Sequence, residues 1–305
     1  MQFSALYLCL HLMATMLAYY LFLLPISYMP NAILYRISDI VYVVLAHIVR
    51  YRRTIITNNL KNSFPEKSAA EIIEIRNKFY RHLSDLVLET VKNFTISENN
   101  HSDNFTYENK DLLEDLEKEG ISVIIMGGHY GNWERYATAG GSHAYQKDMA
   151  IYKPFKNKFI DRKMKIARER FGMQMISMLM TKKYFLKDPS LPKSITFAMD
   201  QWTPNPRKAY WTKFLNQDTS FYPAAEILAK EHNWAVVYCR LEKKKRGHYH
   251  AYYELITKDP SAMKDGEIME VFVKKLEKTI IDYPPHWLWS HKRWKMSKEE
   301  VFGNS

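Results

Sequence analysis

"IIMGGHYGNWERY", residues 124–136, opens as an apolar run, breaks at two glycines and continues into a segment of helical character. A strand that passes through a glycine turn into a helix start is the unit from which α/β domains are assembled. Ligands and catalytic groups gather at the carboxyl ends of such strands. Two ionisable side chains stand in this turn, His129 and Glu134. On one continuous helix a five-residue offset turns through about 500°, which leaves the two side chains roughly 140° apart. They meet only if His129 lies on the loop and Glu134 in the first helical turn. Gly127, Gly128 and Gly131 permit that bend, because glycine adopts backbone angles closed to other residues. A carboxylate bonded to one imidazole nitrogen fixes the tautomer and raises the basicity of the other, which suits removal of a proton from a hydroxyl. Spacing alone leaves two readings open: this catalytic pair, or a structural histidine beside a helix N-terminal acid.

Working outward, the alternation continues. "SVIIM", "DMAIY", "SITFAMD" and "AVVYCRL" read as strands, separated by the helical patterns "NWERYATA", the basic "NKFIDRKMKIARERF" and "YPAAEILAKEH". "HYHAYYELIT" pairs back on the last strand through a turn at Gly247, and the helix "GEIMEVFVKKLEKTIIDYP" and an aromatic tail follow. The expected fold class is α/β, a mixed sheet flanked by helices. Upstream, Ser68 and Glu71 have capping-box spacing ahead of apolar residues at helical intervals, from Ile72 and Ile75 through Phe79 and Leu83 to Val91.

The 305 residues carry 44 Lys and Arg against 33 Asp and Glu, a net charge of +11. That excess suits an acidic partner. Cys9 and Cys239 are the only cysteines and form no CxxC, which argues against a disulfide framework or a cysteine-rich metal site. No charged residue occurs before Arg36, and residues 6–26 are long and apolar enough to cross a bilayer core. The run lacks the basic start and small-residue cleavage site of a secretory signal, so it reads as a retained membrane anchor. Residues 32–49 are also apolar but carry Arg36 and Asp39, which suits an interfacial helix. "RYRR" follows at residues 50–53 and marks the cytoplasmic side. The expected layout is an anchor and interfacial helix over residues 1–53, then an α/β domain over 54–305 with a helical lead-in through 110. A buried core helix is the other reading of the apolar segments.

No GxSxG elbow, GxxxxGK[ST] loop or HExxH pair is present, so serine hydrolases, P-loop enzymes and zincins lack their usual signals. "GGHYGNWE", by contrast, resembles the HX4D/E motif of the lysophospholipid acyltransferase superfamily. "YRRTIITNNLKNSFPEKSAAEI", "YKPFKNKFIDR", "AMDQWTP" and "PPHWLWSHKRWK" are similar, in order, to four blocks of its bacterial lipid A biosynthesis branch, the lauroyl and myristoyl acyltransferases.

The resemblance implies transfer of a fatty acyl group from an acyl carrier protein thioester to a hydroxyl of a lipid A precursor. It implies His129 as general base, oriented by Glu134, and neither a metal nor another cofactor. It further implies a site on the cytoplasmic face of the inner membrane, with acyl carrier protein, lipid precursor and membrane as partners and no nucleic acid. Substrate-binding roles fall on Lys153, Arg168, Arg170 and Asp200. Lys153 stands where the family usually has arginine, which keeps the charge and loses the bidentate fork. From Lys153 to Arg170 eight basic residues face two acids, a segment that attracts an acidic carrier or a phosphorylated lipid. Trp287, Trp289 and Trp294 alternate with basic residues, as at a membrane interface or in a closing core. Two alternatives remain: the same transfer onto a phospholipid, aminolipid or glycolipid, and a non-catalytic membrane protein that binds acidic lipids.

Overall fold

The structure, a computed structural model, describes residues 12–139, 144–145, 147–181, 184 and 192–303. Nine strands are present among them: β1 Phe105–Glu108, β2 Val123–Gly127, β3 Asp148–Tyr152, β4 Gln174–Ser177, β5 Ser194–Ala198, β6 Tyr210–Phe214, β7 Gln217–Phe221, β8 Ala235–Lys245 and β9 His248–Thr257. Seven form one sheet in the order β1-β9-β8-β2-β5-β3-β4. β8, β2, β5, β3 and β4 run parallel, and β9 returns antiparallel to β8. The mixed α/β sheet expected from the sequence is therefore the fold. β1, β4 and the separate β6–β7 hairpin were not evident in the residue pattern.

β2 is central, and Val123, Ile124, Ile125 and Met126 are all fully buried. A parallel strand covered on both faces needs such a continuous apolar run. Ile124 and Met126 face a core shared with Val236, Tyr238, Phe272, Trp287 and Trp289. Val123 and Ile125 face the opposite core with Val237, Tyr136 and Tyr253. The helix Ala69–Lys92 begins in the expected capping box: Glu71 N–H donates to Ser68 Oγ at 3.3 Å and Ser68 N–H to Glu71 Oε2 at 2.8 Å.

The apolar N-terminal segments are helical over the described residues. Residues 6–11 of the expected crossing segment lie outside the described residues; from Leu12 to Tyr28 the chain is helical. Pro25 supplies no N–H to that helix, and in the turn before it Leu24 N–H reaches back to Tyr19 O, one residue further than an α-helix allows. Among the described residues, the helix long and apolar enough to cross a membrane is Asn31–Ile48, the segment expected to be interfacial. One side of it packs on Ala69–Lys92 through Leu34, Ser38 and Tyr42, and Ser38 donates to Asp85 at 2.8 Å. Its other side leaves Ile33, Ile40, Val43 and Ile48 exposed. Those side chains, with Leu17, Leu21 and Phe22 of the preceding helix, make an uncovered apolar surface suited to lipid.

Candidate active site

The parallel pairing of β2 with β5 creates the site. Gly127 and Ala198 are register partners at the ends of the two strands. Met199 N–H donates to Gly127 O at 2.9 Å, which holds the two strand ends together. His129 and Asp200 each lie two residues beyond that pair, so they emerge side by side at the carboxyl edge of the sheet. His129 Nδ1 lies 2.6 Å from Asp200 Oδ1, and the His129 backbone N–H donates to Asp200 Oδ2 at 2.8 Å. Trp287 Nε1–H donates to Oδ2 as well, at 2.7 Å. Burial alone would raise the Asp200 carboxyl, but the adjacent His129 and the three hydrogen bonds outweigh it and hold it down to about 2. The ionised carboxylate only accepts, so Nδ1 carries the proton and Nε2 presents a lone pair. Nε2 is 3.1 Å from the amide nitrogen of Gln201, an exposed residue, and the Trp133 ring stands edge-on to the imidazole at 5.1 Å.

Two glycines are required here. A Cβ on Gly128 would come within 2.8 Å of Leu276 Cδ1 and 3.3 Å of the Asp200 carboxyl, so only glycine lets the carboxylate lie against the turn. Gly131 has φ +61°, in the left-handed region, with Leu241 Cβ 3.2 Å from where a Cβ would stand. The next residue, Asn132, caps the helix Trp133–Thr138: its Oδ1 accepts from Arg135 N–H at 2.8 Å. Its Nδ2 donates to the fully buried Glu89 at 2.6 Å, which ties the turn to the long helix.

Glu134 pairs with Arg168 and His129 with Asp200, which differs from the His129–Glu134 pairing that the resemblance implies. Both oxygens of Glu134 are taken by Arg168, with Nε at 2.9 Å and Nη2 at 2.7 Å. Glu134 is in the first turn of its helix, while Arg168 ends the basic helix Lys158–Arg168. Each side chain is 12% exposed. Burial disfavours the Arg168 cation, but the charge and hydrogen bonds of Glu134 prevail and raise it above its ordinary value. The carboxylate in contact with the imidazole is that of Asp200. Within a single segment that pairing is invisible, because it depends on which strands are neighbours.

Of the other expected substrate-binding residues, Arg170 donates to the backbone carbonyl of Phe94, away from the Glu134 fork, and Lys153 is exposed. The basic helix thus contributes Arg168 to the site region. The tail tryptophans belong to the interior: Trp287 and Trp289 are buried, and Trp294 donates to Thr219 at 2.7 Å. Tyr130 forms a bridge to Trp287, Gly131 N–H donates to His286 O at 3.0 Å, and Leu288 N–H donates to His129 O at 3.1 Å. The tail is therefore a wall of the turn that carries His129. The roles of Trp287, Gln201, Asn132 and Glu89 were not read from the sequence, and the "DQ" pair at 200–201 was the nearest signal for any of them.

The described residues thus hold a histidine–carboxylate pair at the strand ends of a mixed α/β sheet, a largely buried arginine–glutamate fork and an exposed apolar surface near the N-terminus. A family model described as bacterial lipid A biosynthesis acyltransferase matches residues 1–296, and the chain belongs to this family. No curated protein sequence matches the chain.

Proposed function

We propose that the protein transfers a fatty acyl group from an acyl carrier protein thioester to a hydroxyl of a lipid A precursor, at the cytoplasmic face of the inner membrane. The observation that carries the mechanism is the 2.6 Å contact of His129 Nδ1 with Asp200, which leaves Nε2 as the free base. Gln201 swings aside and the acceptor hydroxyl takes its place at Nε2. The imidazole removes the hydroxyl proton as the oxygen attacks the thioester carbonyl, and Asp200 stabilises the imidazolium that forms. Collapse of the tetrahedral intermediate breaks the carbon–sulfur bond, and the imidazolium returns its proton to the departing pantetheine sulfur. The acyl carrier protein is a substrate, and no resident cofactor enters these steps.

The tetrahedral oxyanion needs a preorganised donor. The amides of His129, Tyr130 and Gly131 are engaged with Asp200 Oδ2, Gly128 O and His286 O. Arg168 uses Nε and Nη2 on Glu134, which leaves Nη1 to meet a substrate oxygen. In this reading Glu134 aims the arginine, and Asp200 aims the histidine. The exposed apolar faces of residues 12–28 and 31–48 hold the enzyme at the lipid surface where its acceptor resides.

The test is acyl transfer by the purified full chain in detergent, with an acyl carrier protein donor, a lipid A precursor and mass spectrometry of the lipid product. One added acyl chain is expected with the wild type and none above background with His129→Ala. No product with this donor and acceptor, or equal product from His129→Ala, would refute the proposal. Lipid profiles of a strain lacking the protein identify the acceptor independently, since the missing chain fixes the position.

A further inference from the structure

Behind the catalytic turn, a cleft of about 750 Å³ opens between the helix Ala69–Lys92, the end of β8 and the segment around His286. Tyr130 contributes to its wall and His129 does not. Seven basic side chains line it against four acidic ones. Asp85 neutralises part of this charge by pairing with Lys243 at 3.0 Å and Arg246 at 2.7 Å. Among the described residues, Arg81, Arg240 and Lys245 have no carboxylate within ion-pair distance. Arg81 Cζ lies 4.2 Å from the centre of the Tyr42 ring and Arg240 Cζ 5.2 Å from that of the Tyr252 ring, contacts that do not cancel the cationic charge. Arg240 Nε is buried and lacks a hydrogen-bond partner.

A second, independent feature is His82, which lines the same cleft at 4% exposure. Its Nε2 lies 3.0 Å from Gly131 O. A carbonyl only accepts, so Nε2 carries the proton. Nδ1 is then a buried lone pair, and it has no partner. The His286 ring, 4.6 Å away, forms the adjoining wall. The cleft thus offers cationic donors together with one buried acceptor. Sulfates and phosphodiesters match the donors alone. A phosphomonoester, whose second ionisation lies near pH 6, brings a P–OH hydrogen in its singly ionised form, and that form matches the donors and the acceptor together.

We propose that this cleft binds a phosphomonoester in its singly ionised form, with Arg81, Arg240 and Lys245 holding the anionic oxygens and His82 Nδ1 accepting the P–OH hydrogen. The assignment is independent of the acyl-transfer reading. Asp39 of the helix Asn31–Ile48 forms part of the wall, and Ile40 and Val43 lie exposed next to it on that helix. A phosphate on a lipid and a phosphate on a soluble molecule present the same group to the cleft, and only the lipid would also use that helix.

The experiment uses the full chain carrying His129→Ala, so that binding is separated from turnover. Phenyl phosphate and phenyl sulfate are titrated by calorimetry in detergent at about pH 5.5, where most of the phosphate is singly ionised and carries the same charge as the sulfate. Vesicles containing phosphatidic acid or phosphatidylglycerol are compared by co-sedimentation at equal surface charge. The phosphate is expected to bind at least tenfold tighter than the sulfate. Arg240→Gln with Lys245→Gln should weaken it at least tenfold, and His82→Phe should reduce the phosphate to the level of the sulfate. A preference for phosphatidic acid vesicles that the Arg240→Gln, Lys245→Gln variant loses assigns the group to a lipid; phenyl phosphate binding without that preference assigns it to a soluble ligand. Equal affinity for phosphate and sulfate, or unchanged phosphate affinity in the Arg240→Gln, Lys245→Gln variant, overturns the proposal.

Discussion

Asp200 accepts from His129 twice, 2.6 Å from the ring Nδ1 and 2.8 Å from the backbone N–H, so one carboxylate fixes both the imidazole and the turn that carries it. Asp200→Asn should keep the turn folded, since the amide oxygen still accepts one of these bonds. It should lower kcat by about a hundredfold or more with little change in KM, because the amide no longer enforces the tautomer or stabilises the imidazolium. Steady-state kinetics with saturating donor measure the split. A drop confined to KM would move Asp200 from the base to the substrate.

Trp287 tests the same carboxylate from its other side. Trp287→Phe retains an aromatic ring in the core but removes the 2.7 Å donor to Asp200 Oδ2. A buried hydrogen bond to a charged group is worth about 2 kcal/mol. The variant should unfold at correspondingly lower denaturant, and kcat should fall about tenfold.

The fork between Arg168 and Glu134 depends on geometry as well as charge. Arg168→Lys keeps the cation and loses the bidentate contact, so it should recover little of the activity lost in Arg168→Ala. Glu134→Gln leaves a buried guanidinium without its counter-charge, and should destabilise the fold by about 3 kcal/mol. If the fork acts through Arg168, Glu134→Gln and Arg168→Ala are non-additive in a double-mutant cycle on kcat. Additive losses would mean that Glu134 has a separate role.

How much of this was legible in the sequence depended on range. The capping box at Ser68 and Glu71, the buried run of β2 and the β8–β9 hairpin are local patterns, and each appears as read. The glycine turn was also readable, though Gly127 ends the strand and the bend itself needs Gly128 and Gly131. The partner of His129 was misassigned because Glu134 is five residues away and Asp200 is 71. Only the placement of β5 beside β2 makes the distant residue the neighbour. The tail tryptophans were ambiguous for a related reason: alternating aromatic and basic residues fit an interface or a core wall, and the bridge from Tyr130 to Trp287 decides for the wall. Asn31–Ile48 looked interfacial because of Arg36 and Asp39. Its Asp39 is paired with Arg246 at 2.7 Å, so that charge is met by the protein.

Three histidines make the fold acid-sensitive. Burial lowers His82 to about 3, His286 to about 2 and His291 to about 4, from an ordinary value of 6.5. Between pH 6.5 and those values the unfolded chain binds protons that the folded chain does not, so stability falls as pH falls. Their contribution is fully present above pH 6.5 and declines steadily toward pH 3, by up to about 1.4 kcal/mol per pH unit for each histidine. Asp200, depressed from 3.8 to about 2, adds a loss only below pH 4. Thermal unfolding in detergent at pH 7.5, 6, 5 and 4 should show a steep decrease in Tm, reduced in His286→Phe. A Tm independent of pH over this range would contradict the buried neutral state of these rings.

The central claim is that His129, aligned by Asp200, is the base that activates the acceptor hydroxyl. Single-turnover transfer of a labelled acyl chain from acyl carrier protein to a lipid A precursor, with excess enzyme, isolates that step from product release. His129→Ala and Asp200→Asn should each slow the chemical step by at least two orders of magnitude while both still bind the two substrates. A chemical step in Asp200→Asn as fast as that of the wild type, with only His129→Ala impaired, would contradict the account.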